Sequence, residues 1–354
     1  MRDSNLLFRA LASLALLALT ACAHTPSPPA ASEEPIVLMI GLDGLRYDAI
    51  DRWDAPNLRA LAARGTRPDH MIPVMPSKTF TNFYSLATGL YPDRHGMISN
   101  APYDRRFDAV YSNREGGAQD PRWWGGEPIW ITAETQNIRS GTMFWPGSEI
   151  EHDGVRPSIW HAYVHEMPYE DRVAEVLSWF DASAGQRPRL ATIYFDHVDT
   201  ITHRAGPFTP EEGEAVARVD ALVGALVEGL TRRGLIERTN IIIVSDHGMV
   251  PVSMERRIAL DALADLDGLF IPEFAGRYGA GLEPLVMGYG DGETVDRVYT
   301  ALNGADDRIS VYRRGAMPDA WHFDHPDRGP DLLVLAEPGW LLTLSDADFS
   351  GPWP

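Results

Sequence analysis

Cysteine is nearly absent from the 354 residues: Cys22 stands alone, so no internal disulfide can staple the fold. Cationic side chains are scarce too, with 31 Lys and Arg against 50 Asp and Glu and a formal net charge of -19. No cationic excess exists to neutralise a polyanion, which sets aside nucleic-acid polymers as the main partner. Small anionic ligands stay open, because bound divalent cations reverse the local field of an acidic site. The apolar run Leu11 to Leu19 is too short to span a bilayer comfortably and fits an export-signal core. After Pro35 there is neither a second linker nor a visible repeat. What is present is a globular composition, 44% hydrophobic, long enough for one large α/β domain or two ordinary ones.

Arg2 and Arg9 flank a short polar start before the Leu11–Leu19 run, which ends in Leu19-Thr20-Ala21-Cys22. That ending resembles the bacterial lipoprotein cleavage box, where the cysteine becomes the lipidated first residue. The expectation is a signal peptide over 1–21, a Pro/Ser/Ala-rich tether over 22–34 anchored by lipid at Cys22, and a folded domain over 35–354. Such a protein is exported and faces the periplasm or the cell exterior.

From Pro35 onward, strands and helices alternate, the pattern of a mainly parallel sheet with helices on both faces. Ile36–Ile40, Leu190–Phe195 and Ile241–Val244 are continuous apolar runs, as expected of strands buried on both faces, and Leu332–Leu335 is a fourth candidate. Thr209-Pro210-Glu211-Glu212 is a capping box with proline at the first helical position, and Gly234 is a plausible stop. Asn57–Arg64 is a shorter helix closed by Gly65.

Acids follow three of the strands. The first runs into Asp43, the second into Asp196-His197-Val198-Asp199 with His203 beyond, and the third into Asp246-His247. In open α/β sheets the carboxyl ends of the strands share one edge, where ligands bind. A single aspartate there often only caps the next helix, and His197 reads as a packing or solvent histidine. Three clusters together raise one another's pKa unless cations intervene. Mixed Asp/His ligation suits zinc, with manganese or iron open.

The stretch Pro76-Ser77-Lys78-Thr79-Phe80-Thr81-Asn82-Phe83-Tyr84, with Thr88-Gly89-Leu90-Tyr91-Pro92 and His95-Gly96 through Asn100, resembles the nucleotide pyrophosphatase/phosphodiesterase family of the alkaline phosphatase superfamily. Trp123–Trp130 and Phe144–Glu149 are similar to further family signatures, and the resemblance runs from about Ile36 to Trp340. It implies an alkaline-phosphatase-like three-layer α/β/α sandwich and two adjacent metal sites, most simply zinc. Asp43, Asp246, His247 and Thr79 would serve one site, and Asp199 and His203 the other. Thr79 would be the nucleophile, Asn100 a donor to a non-bridging phosphate oxygen, and Phe80 and Tyr163 the stacking surface for a nucleobase. The implied activity is hydrolysis of phosphodiester or pyrophosphate bonds in small nucleotide-type substrates, through a phospho-threonine intermediate. Nothing points to an obligate protein partner.

Two departures stand out. Thr81 and Phe83 replace the family's usual Pro and His after the nucleophile. The family also continues past the position of Trp340 to a His-Gly segment whose histidine completes the Asp199/His203 site, whereas no histidine follows His325 here. The expected fold is therefore C-terminally incomplete, with His322 and His325 the only late substitutes. Two readings stand: an active hydrolase, or an impaired form that binds metal and phosphate ligands only.

Overall fold

The computed structural model describes residues 34–113, 116–275 and 282–345. The expected signal peptide, Cys22 and nearly all of the tether lie outside the described residues.

Among the described residues, five strands form the main sheet: β1 (Ile36–Leu42), β4 (Ser140–Met143), β5 (Ile159–Trp160), β6 (Leu190–Phe195) and β7 (Thr239–Val244). Their order is β5-β4-β6-β1-β7, and every pairing is parallel. The two central runs are mostly apolar, Thr192 and the Tyr194 hydroxyl excepted, because both faces are covered: Leu38, Ile40, Leu42, Ile193 and Phe195 are solvent-free. The register reveals the layers. Gly141 of β4 lies across Ala191 from Leu38, and Trp179 of the Tyr169–Trp179 helix fills the space over it, 2.7 Å from where a Cβ would sit. Gly41, three residues beyond Leu38 and so on the opposite face, lies under Phe83 of the Thr79–Thr88 helix. Helices thus cover both faces, giving the expected α/β/α sandwich.

The Pro210–Arg232 helix begins as read from the sequence: the Thr209 hydroxyl accepts from the Glu212 N–H at 3.3 Å. Its partner Glu212 departs from the capping box and accepts from the Phe208 N–H instead, at 2.6 Å. The Pro56–Arg64 helix, closed by Gly65, packs against it, as do the Tyr169–Trp179 and His197–Ala205 helices.

Two expectations need correction. Among the described residues β7 is an edge strand that pairs only with β1, not one buried on both faces, and Ile242 is 43% exposed. The Leu332–Leu335 run does form a strand, β11 (Leu332–Ala336), but outside the main sheet. It is the centre of an antiparallel sheet between β10 (Ile309–Arg313) and β9 (Leu285–Gly288). A run buried on both faces looks alike in either setting. Among the described residues, shorter pairs complete the strand set: β2 (Tyr103–Asp104) with β3 (Ala109–Val110), and β8 (Arg257–Ala259) with β12 (Leu341–Thr343).

Candidate active site

Because β1, β6 and β7 are parallel, the residues after each strand emerge at one edge. Asp43 follows β1, Asp246 follows β7 by one residue, and Asp199 lies in the first turn of the helix after β6. Gly44 permits the closest approach. It has φ +70°, and a Cβ there would sit 2.9 Å from Cα of Asp199. The Asp199 N–H donates to the Asp43 carbonyl at 3.1 Å, and the Gly44 N–H donates to Oδ1 of Asp246 at 3.1 Å.

Asp43, Asp246 and His247 each offer a ligand atom, all within 4.8 Å of one another. Nε2 of His247 lies 3.0 Å from Oδ2 of Asp246, 3.6 Å from Oδ1 of Asp43 and 3.4 Å from the Thr79 hydroxyl. Three buried carboxylate oxygens here have no hydrogen-bond partner: Asp43 Oδ1, Asp246 Oδ2 and Asp199 Oδ1. Buried acceptors are rarely left so. Burial, with Asp246 and Asp199 nearby, pushes the Asp43 carboxyl well above its ordinary range. Burial also raises Asp199. Although burial opposes it, the Asp246 carboxylate holds His247 above its usual value. A cation would relieve the crowding and supply the missing partner of each oxygen. The donor set therefore fits a divalent metal ion.

Asp199 and His203 share one face of the His197–Ala205 helix, with Nε2 of His203 3.4 Å from Oδ1 of Asp199. Among the described residues, no third His, Cys, Asp or Glu joins them into a ligand group. The late histidines are committed elsewhere. His322 stacks on Tyr91 at 4.0 Å, and His325 Nδ1 accepts the N–H groups of Asp327 and Arg328 at 3.2 Å. Neither lines the cleft that holds Thr79 and His203. His197 packs edge-on against Tyr169, as a structural histidine does.

Thr79 opens the Thr79–Thr88 helix, so it sits at the positive end of the helix dipole. Asn82, 3% exposed, fixes the approach: its Oδ1 accepts from Val74 N–H, and its Nδ2 donates to the Pro76 and Lys78 carbonyls. Lys78 pairs with Glu283 at 2.5 Å, tying the helix start to the residue two before β9. Oδ1 of Asn100 accepts the Phe80 N–H at 2.9 Å, and Asn100 lines the cleft. The cleft, about 2100 Å³, reaches from Asn100 and Phe80 past Thr79 and His247 and along β7. Phe80 lines it, edge-on to Tyr111. Tyr163 does not line it; its ring packs on Phe144 at 5.3 Å and its hydroxyl meets Nδ1 of His165 at 3.1 Å.

A model of the type I phosphodiesterase/nucleotide pyrophosphatase family matches residues 37–349. The chain belongs to this family. Mouse ectonucleotide pyrophosphatase/phosphodiesterase family member 1 is 34% identical over 340 residues, covering 92% of this chain and 36% of the mouse protein. Venom phosphodiesterase 2 of Crotalus adamanteus is 40% identical over 230 residues, covering 64% of this chain and 28% of its own length. Murine ectonucleotide pyrophosphatase/phosphodiesterase 5, solved in an inactive threonine-to-alanine form with AMP, superposes with a TM-score of 0.82 at 29% identity. That match covers 89% of this chain and 82% of the murine chain. The chain spans about a third of the length of these two relatives.

The sequence reading missed Tyr194, whose hydroxyl donates to Oδ2 of Asp43. Its signal was available, since a tyrosine in a strand buried on both faces needs an acceptor for its hydroxyl. It also missed Asn82, Lys78 with Glu283, and Arg328. Buried Arg328 donates to Asp104 and to the carbonyls of Gly96, Arg122 and Trp123, fastening the segment that carries Asn100. The partners of Lys78 and Arg328, some 200 residues away, leave no local trace.

Proposed function

We propose that the protein hydrolyses phosphodiester or pyrophosphate bonds in nucleotide-type substrates, with Thr79 as nucleophile beside a metal centre, most simply zinc. The observation that carries this reading is the gathering of Asp43, Asp246 and His247 within 4.8 Å of one another, with His247 Nε2 3.4 Å from the Thr79 hydroxyl and with Asp43 Oδ1 and Asp246 Oδ2 buried without a hydrogen-bond partner. Asp43, Asp246 and His247 would hold one ion, and Asp199 and His203 would contribute to a second. When bound, these ions would favour the Thr79 alkoxide and offset charge on the attacking and leaving oxygens. Thr79 Oγ1 attacks phosphorus in line, and the leaving alcohol or phosphate departs with its oxygen. The result is a phospho-threonine intermediate that still carries the retained substituent. Water then attacks the same phosphorus, restores the threonine and releases a phosphomonoester. The Asn100 amide donates to a non-bridging oxygen throughout. Phe80 offers an apolar edge for the retained substituent, and Tyr163 would join it if the loop turns toward the cleft. In the cell this chemistry would face the periplasm or the cell exterior, on a protein lipid-anchored at Cys22.

A second reading has one supporting observation: the Asp199/His203 pair lacks a third protein ligand among the described residues. The protein would then hold one ion and a phosphate ligand without turnover. Zinc added back to the chelated full chain, with a bis-aryl phosphate as substrate, separates the two. The first reading expects hydrolysis that rises with zinc. Its absence at saturating zinc would leave only the second.

A further inference from the structure

We propose that Tyr194 is a positioning residue for the metal centre: by taking Oδ2 of Asp43, its hydroxyl commits Oδ1 to the ion shared with Asp246 and His247. The inference rests on the metal-centre reading above. Tyr194 lies on β6 directly across from Gly41 on β1, so its side chain rises on the face covered by the nucleophile helix. Its ring meets Phe83 edge-to-face at 5.3 Å and 90°, and Phe83 meets Trp145 at 5.0 Å. Trp145 in turn donates its indole N–H to the Phe83 carbonyl at 2.9 Å. Gly41 makes this wall possible, because a Cβ there would lie 2.8 Å from the Phe83 ring. The tyrosine ring is thus held on one side by Phe83 and lies 6.3 Å from Tyr163 on another.

Locked in this way, the hydroxyl donates a hydrogen bond to Oδ2 of Asp43, while Oδ1 stays buried and without a hydrogen-bond partner. A carboxylate held by one oxygen presents the other as a single ligand atom of fixed direction. Outer partners of this kind typically change metal affinity about 10–100-fold when removed. Phe83 also sits one helical turn beyond Thr79, so the same ring wall joins the nucleophile's helix to Asp43. A histidine at position 83 would offer the hydroxyl a competing acceptor; phenylalanine offers none.

The test compares full-length wild type, Tyr194→Phe and Tyr289→Phe by zinc competition against a chromophoric chelator, with thermal unfolding of each metal-free chain. Tyr289 donates its hydroxyl to the Arg328 carbonyl at 2.8 Å and serves as a structural control. Tyr194→Phe should weaken zinc binding about 10–100-fold while its metal-free unfolding shifts no more than that of the control. Tyr289→Phe should bind zinc as wild type does. Equal affinity in Tyr194→Phe and wild type overturns the inference. So does a loss of affinity matched by an equal loss in the control. A wild type that binds no zinc removes the metal-centre reading itself.

Discussion

Single residues decide how closely the acids approach. Gly44 is the tightest instance, since its left-handed φ and the 2.9 Å gap to Asp199 both forbid a side chain. Gly44→Ala should destabilise the metal-free chain by about 1–3 kcal/mol and separate the β1 and β6 acids. Urea unfolding measures the first effect and zinc affinity the second; a variant equal to wild type in both would contradict the packing described. Thr79, Asp43, Asp246 and His247 were readable because each sits in a short motif whose residue types carry the chemistry. Tyr194 was hidden inside an apolar strand, where hydropathy registers the ring and ignores the hydroxyl.

At the scale of elements, the sandwich strands β1 and β6 were legible because burial on both faces removes polar residues from the run. β4, Ser140–Met143, was not, since its small and polar residues are buried through neighbours such as Trp179 that the local pattern cannot show. The edge position of β7 was hidden for the converse reason: its Ile-Ile-Ile-Val run looks like a core strand while one side pairs with nothing among the described residues. Connections between distant elements were equally silent, and the Asp104–Arg328 pair is the clearest, both side chains at most 3% exposed and 2.8 Å apart. Burial alone would raise the Asp104 carboxyl, but the Arg106 and Arg328 guanidiniums outweigh it and hold it at about 2, below the ordinary 3.8. The folded pKa is depressed, so the stabilisation is present above about pH 4 and lost as pH falls through about 2. Asp104→Asn should cost about 2–4 kcal/mol at pH 7, and the gap to wild type should narrow between pH 4 and pH 2. Urea midpoints across that range provide the check; a gap independent of pH would show that the charge is not what matters.

For the whole molecule, the proposed nucleotide-type substrate has the same sign as the net charge of -19, and the proposed metal centre at the edge of the sheet would reconcile the two. The sequence located that edge because three parallel strands deliver their acids to one place. It could not say whether the Asp199/His203 pair completes a site, because a metal ligand set is a fact of three dimensions. Here the structure withdraws both substitutes: His322 is stacked on Tyr91 and His325 is bonded to its own loop. The proposed hydrolysis depends on covalent chemistry at Thr79. Quenching zinc-loaded full-length protein during turnover of a bis-aryl phosphate, then mapping peptides by mass, tests it most directly. The expected result is an aryl-phosphoryl adduct on Thr79 that disappears, together with hydrolysis, in Thr79→Ala. Turnover that persists in Thr79→Ala, or an adduct on another residue, would contradict it.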